Sequence, residues 1–381
     1  MKGSLQSALE RWTAAGLVDA AQADRIRGWE TAHGGERGGS HLAILAFAFG
    51  GLLLVAGVLL FVAANWDSLA PGARFALVLA MIAVFHAGGA VASRSSAALA
   101  ATLHAAGTGA LGAGIYLSGQ IFHMAEHWPG ALMLWSIGAA LAWGLLRQWP
   151  QMLWLAVLAP AWLWGEWFEA QPPMAGWRGM DAMTLGLFLL ACAYLMASAP
   201  EAREPWRRTL TWLGAIAIIP AAAAIAWSDF ASLQALDEAR AELGTRGRMM
   251  AWSLAIVIPA GVAWILRERE AAWIAVAVAW GLALLWVNPR PDSGELLLWL
   301  LYALGAVLLV LWGIRDGQRL AVNVGVLAIA FAVLGFYFSS LYDKLGRALG
   351  LIGVGVIFIG GGWLLERARR RLLGRIAKAS P

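Results

Sequence analysis

Apolar runs of close to twenty residues alternate along this chain with short segments that hold nearly all of its charge. A helix of about 20 apolar residues is long enough to cross the ~30 Å hydrocarbon core of a bilayer. There, only a helix or a closed barrel satisfies its own backbone. The pattern predicts about twelve such helices. They fall near 42–64, 73–93, 97–119, 130–147, 150–168, 182–199, 209–227, 249–267, 271–288, 295–314, 318–338 and 345–366. The expected fold class is all-α, a polytopic helical membrane protein. Three parts are expected: a cytoplasmic two-helix head over 1–36, a transmembrane body over 37–366, and a basic cytoplasmic tail over 367–381.

In the head, Leu5, Leu9 and Trp12 fall on one face of a first short amphipathic helix. Gly16 is placed to end it, because glycine accepts the left-handed backbone of a helix stop. Asp19 is placed to cap a second helix running through Ile26 and Trp29. The run 33–40, with four glycines, reads as a linker. No basic region precedes an apolar core at the start, so the first apolar run is expected to act as an uncleaved signal-anchor. Between the spans, 228–248 places Leu233, Leu236 and Leu243 at near-helical spacing. It is expected to form a separate amphipathic helix at the membrane interface.

Composition narrows the class. Hydrophobic residues make up 61% of the 381 positions and charged residues 13%, about half the charge of a soluble domain. A net charge of +5, spread over loops and tail, sets orientation and does not point to nucleic acid. Arg94, Arg147, Arg203, Arg207, Arg208, Arg267, Arg269, Arg315 and Arg319 follow even-numbered spans, and the tail adds more. The opposite loops are poorer in arginine and lysine, so both termini are expected on the cytoplasmic side. Tryptophans at span ends (Trp66, Trp128, Trp149, Trp167, Trp177) fit the headgroup layer. The single cysteine, Cys192, lies in an apolar run, which excludes an internal disulfide and a cysteine metal cluster.

Candidate chemistry is sparse. The segment 119–128, GQIFHMAEHW, contains His123, Glu126 and His127 in the order H-x-x-E-H. If helical, it would put both histidines on one face, as two zinc ligands require. Asp67, Glu166 and Glu169 are candidate further ligands on the same outer side. A wet interfacial loop also collects His, Glu and Trp, and competes with the metal reading. Inside the spans the polar residues are His86, His104 and Asn323. An intramembrane ionisable side chain is a functional candidate, although a neutral histidine also serves as an interhelical hydrogen-bonding group. Gly107, Gly109, Gly112 and Gly114 smooth one span for close packing. Pro160, Pro220 and Pro259 fall mid-span, where proline kinks a helix.

The head LERWTAAGLVDAAQADRIRGWE, the span ending FVAANWDSL and the segment GQIFHM resemble the bacterial membrane family called domain of unknown function 2157, over about the first 150 residues. The C-terminal FYFSSLYDKLGRALGLIGVGVIFIGGGWLLERARRR resembles the end of such proteins. Asn65, Trp66, Gly119, Gln120 and His123 fall at family-like positions; Glu126 and His127 stand outside that pattern. The resemblance implies a bacterial inner-membrane protein and no established activity.

The expected function is a carrier or binding protein for a lipid-like or small amphiphilic molecule. Its expected polar site near the outer face is built from Asn65, Trp66, Asp67, Gln120 and His123, and no cofactor is expected. One alternative is an outer-face metal enzyme using zinc on His123, His127 and Glu126. Another is a scaffold that recruits a protein partner through its head.

Overall fold

The computed structural model describes residues 9–33, 49–50, 53, 57, 60, 70–122, 127–170, 181–198, 204–226, 233–287, 294–341, 355, 359–360, 363 and 367. They are helical throughout, with no strand among the described residues. Contacts divide the chain into two compact units, 1–117 and 118–381.

In the first unit, a helix ends at Gly16, whose φ is +67°, and the Leu17 amide donates back to the Trp12 carbonyl at 2.9 Å. Helix α1 (Ala20–His33) follows. The Gln22 amide donates to Asp19 Oδ1 at 2.6 Å, and the Asp19 amide donates to Gln22 Oε1 at 3.0 Å. This is a reciprocal capping box, and it confirms the cap read from the sequence. Helices α2 (Pro71–Ala92) and α3 (Ala97–Phe122) form an antiparallel hairpin. Pro71 opens α2 without losing an internal hydrogen bond, because the first amides of a helix have no partner in any case. Ser96 Oγ accepts from the Leu99 amide and caps α3. Met81, Phe85 and Ala110 pack between the two helices.

The second unit holds α4 (Trp128–Leu146), α5 (Trp149–Glu169), α6 (Asp181–Leu195), α7 (Pro205–Ala226) and α8 (Leu233–Arg267). A 3₁₀ turn (Glu268–Ala272) leads to α9 (Trp273–Val287), α10 (Gly294–Arg315) and α11 (Arg319–Phe336), and a π turn closes at 337–341. Helix α6 is apolar all round and packs against α7, α8 and α9. Its 15 residues rise only ~22 Å, and protein surrounds it, as an all-apolar helix requires. At Gly214 of α7 an added Cβ would collide with the backbone of Leu195 and Ala191, so the absent side chain lets α6 and α7 touch directly.

The outer faces are those of a membrane protein. On α10, Leu296, Leu300, Leu304 and Leu311 are exposed while Trp299, Tyr302, Ala306 and Val310 are buried. Such a continuous exposed apolar stripe would be untenable in water. Eight helices among the described residues are long and apolar enough to span a membrane. The number twelve is therefore not reached among them, in part because spans 42–64 and 345–366 lie largely outside the described residues. The amphipathic segment expected to lie apart is instead the first part of the 35-residue α8. Leucine, glutamate, arginine and methionine favour the helix there, and it continues through Gly244 and Gly247 despite the low helix propensity of glycine.

Proline leaves one visible consequence. Pro160 sits inside α5 and has no amide to offer the carbonyl of Ala156, four residues back. The Tyr194 hydroxyl of α6 donates to that carbonyl at 3.1 Å. A gap in one helix thus becomes a tie between two.

Candidate functional site

Polar side chains fasten one end of the second unit. The carbonyls at helix C-termini lack intrahelical donors, and here cations and an amide supply them. Arg267 donates to the Ser198 carbonyl at 2.6 Å, Arg207 to that of Leu266 at 3.0 Å, and Gln318 to that of Leu195 at 2.9 Å. Arg267 also pairs with Asp316, both nearly buried. Burial lifts the Asp316 carboxyl above its ordinary range, and the Arg267 guanidinium opposes that rise. Gly317, at φ +68°, forms the sharp turn that brings Asp316 and Gln318 to this end.

At the opposite end of α4 and α5 lies the only described part of the expected metal motif. His127 immediately precedes α4, with backbone φ −90° and ψ 83°, and so is itself outside a helix. Its Nε2 lies 3.0 Å from Glu166 Oε2, and its Nδ1 lies 3.8 Å from Glu169. Trp162 Nε1 donates to the other Glu166 oxygen at 2.8 Å. The two carboxylates anticipated near the motif do reach His127. Among the described residues no group of three His, Cys, Asp or Glu side chains could hold a metal ion. Asn65, Trp66, Asp67, His123 and Glu126 lie outside the described residues, and Gln120 is placed only as part of α3.

The two intramembrane histidines meet. His86 of α2 and His104 of α3 approach Nδ1 to Nδ1 at 3.1 Å, a hydrogen bond that requires one ring to donate and the other to accept. A glycine of the facing helix makes room for each ring. A Cβ at Gly89 would lie 2.8 Å from His104, and one at Gly107 would lie 2.7 Å from His86. Two of the residues read as candidates, and one glycine read as a packing device, therefore form a single joint. Asn323 lies half-buried one turn into α11.

A further feature is one that sequence reasoning missed. Between α6, α7, α9, α10 and α11 lies an apolar cavity of about 110 Å³, against the roughly 10–15 Å³ that one water requires. With the groove through which it opens, the empty space is about 790 Å³. Trp273, Trp280, Tyr302, Trp312 and Phe188 line it, together with Cys192. Two of these rings anchor their polar edges on backbone, while the buried Nε1 of Trp312 has no hydrogen-bond partner. Trp280 Nε1 donates to the Leu301 carbonyl at 2.7 Å, and the Tyr302 hydroxyl donates to that of Ile219 at 3.2 Å. The rings therefore turn apolar faces to the space. From Trp273 to Trp280 the lining rises ~10 Å along α9, and from Trp312 back to Tyr302 ~15 Å along α10. At its Trp273 end, the Arg315 guanidinium stands over the indole, 5.4 Å from the ring centroid. The available signal was an anomaly: Trp280 and Tyr302 lie well inside their helices, away from the headgroup layer that usually draws such rings.

Comparison with known proteins finds a similarity in the N-terminal part. Residues 10–152 match the family described as "Predicted membrane protein (DUF2157)". The matched stretch covers α1 to α4 and the start of α5, and it bears out the resemblance read from the sequence. The cavity lies beyond it. No curated protein and no solved structure matches the chain.

Proposed function

We propose that this membrane protein binds a lipid-like amphiphile, with the apolar part held in the cavity between α6, α7, α9, α10 and α11. The observation that carries the reading is the aromatic, predominantly apolar lining, without a charged side chain, of a space too large for packing to ignore and too apolar for water to fill. Fixed indole and phenol rings make a preformed wall, which lowers the ordering cost of binding. The polar residues Asn65, Trp66, Asp67, Gln120 and His123 remain a separate proposed binding site. The arginine distribution supports an orientation with both termini cytoplasmic, and the family resemblance supports an inner-membrane location.

Native mass spectrometry of the detergent-purified protein tests this reading. The wild type should retain lipid. Ala277→Phe, which fills the cavity, should lose at least most of it. Ala279→Phe, on the exposed side of the same helix, should retain it. Equal retention by all three would overturn the reading.

A second reading is favoured by the approach of Glu166 and Glu169 to His127. In it, His123, Glu126 and His127 hold zinc for chemistry at the outer face. It requires stoichiometric zinc in the purified protein that disappears in His127→Ala.

A further inference from the structure

We infer that the occupant of the cavity is an anionic lipid, its acidic headgroup held by Arg315 at the Trp273 end. The inference rests on the proposed binding role and names the class of ligand. Three observations carry it. The cavity is predominantly apolar along its ~10–15 Å depth and is lined by no charged side chain, so it takes hydrocarbon and leaves any charge outside. Its lining reaches Trp273 and Trp312 at the end where α9 begins and α10 stops. One turn beyond Trp312 stands the exposed Arg315, with its guanidinium over the Trp273 indole.

That geometry sets a planar cation at the level where a lipid with buried chains places its headgroup. Asp316, the next residue, is engaged chiefly by Arg267 in a nearly buried pair; Glu270, in the turn before Trp273, also acts on it, and Arg315 is the weakest of the charges that do. Arg319, exposed at the first position of α11, adds a second cation at the same end. Guanidinium binds phosphate oxygens in a bidentate fork. A zwitterionic headgroup offers the same phosphate but brings its own ammonium group to a cationic site, so phosphatidylglycerol should be preferred to phosphatidylcholine.

The full-length protein in detergent, equilibrated with equal amounts of dioleoyl-phosphatidylglycerol and dioleoyl-phosphatidylcholine, reports the preference by native mass spectrometry. Wild type should retain the anionic lipid about fivefold over the zwitterionic one, the ~1 kcal/mol of one basic side chain near a headgroup. Arg315→Gln should bring the ratio close to one while lipid remains bound, and Arg315→Lys should keep most of the preference. Raised salt should lower the wild-type ratio, which tests the charge without a variant. Equal retention of the two lipids by wild type would overturn the anionic inference and leave the cavity reading intact. Retention of neither, or retention unaffected by Ala277→Phe, would overturn the cavity reading itself.

Discussion

A hydrogen bond between a buried and a half-buried imidazole in the first unit and an ion pair at a bundle end of the second are the residue-scale ties within the two units. Removing one partner strands the other, and a stranded buried polar group costs ~1–3 kcal/mol. His104→Leu should therefore lower thermal stability by about that amount, and His86→Leu added to it should cost little more. A double-mutant cycle in detergent, read by thermal unfolding, checks this coupling; additive losses would contradict it. Asp316→Leu leaves the nearly buried Arg267 without its carboxylate, and breaking such a pair costs ~3–5 kcal/mol. Arg267→Met with Asp316→Leu should recover a large part, as apolar replacements of buried pairs do. Both histidines were legible in the sequence as singular residues, but their pairing was not. Eighteen residues and a turn separate them, and only the backbone hairpin sets their register. Gly107 looked like one of a packing stripe, while its specific use is to admit the His86 ring.

At the scale of helices, the span pattern carried most of the information. The described helices follow the expected apolar runs because a bilayer forces one period and one length on each. The break expected before Met249 did not form: the helix runs on through Gly244 and Gly247, and the good helix formers on either side outweigh the two glycines. The tie from Tyr194 to Ala156 could not be read in advance, since it needs the relative rotation of α5 and α6. It makes a separate prediction. Tyr194→Phe should destabilise the protein by ~1–3 kcal/mol, and Pro160→Ala, which restores the amide that Ala156 lacks, should relieve most of that loss. Hydrogen exchange at residue 160 in the double variant should show a protected amide. A loss unchanged by Pro160→Ala would show that the tyrosine acts through packing alone.

At the scale of the molecule, the cavity distinguishes this bundle from a simple packed one. It was not legible because five helices contribute to it. The residues they supply, such as Ile218, Ala277 and Leu309, have the same apolar character as those facing lipid. Only the inward tryptophans and tyrosine differed, and their meaning depended on three-dimensional convergence. The most direct test of the account is photocrosslinking with a phosphatidylglycerol carrying a diazirine in its acyl chain, followed by mapping of the labelled residues. The account predicts label concentrated on cavity residues such as Cys192, Trp280 and Tyr302, reduced in Ala277→Phe. Label confined to outward residues such as Leu145, Ile216 and Ile265 would contradict it.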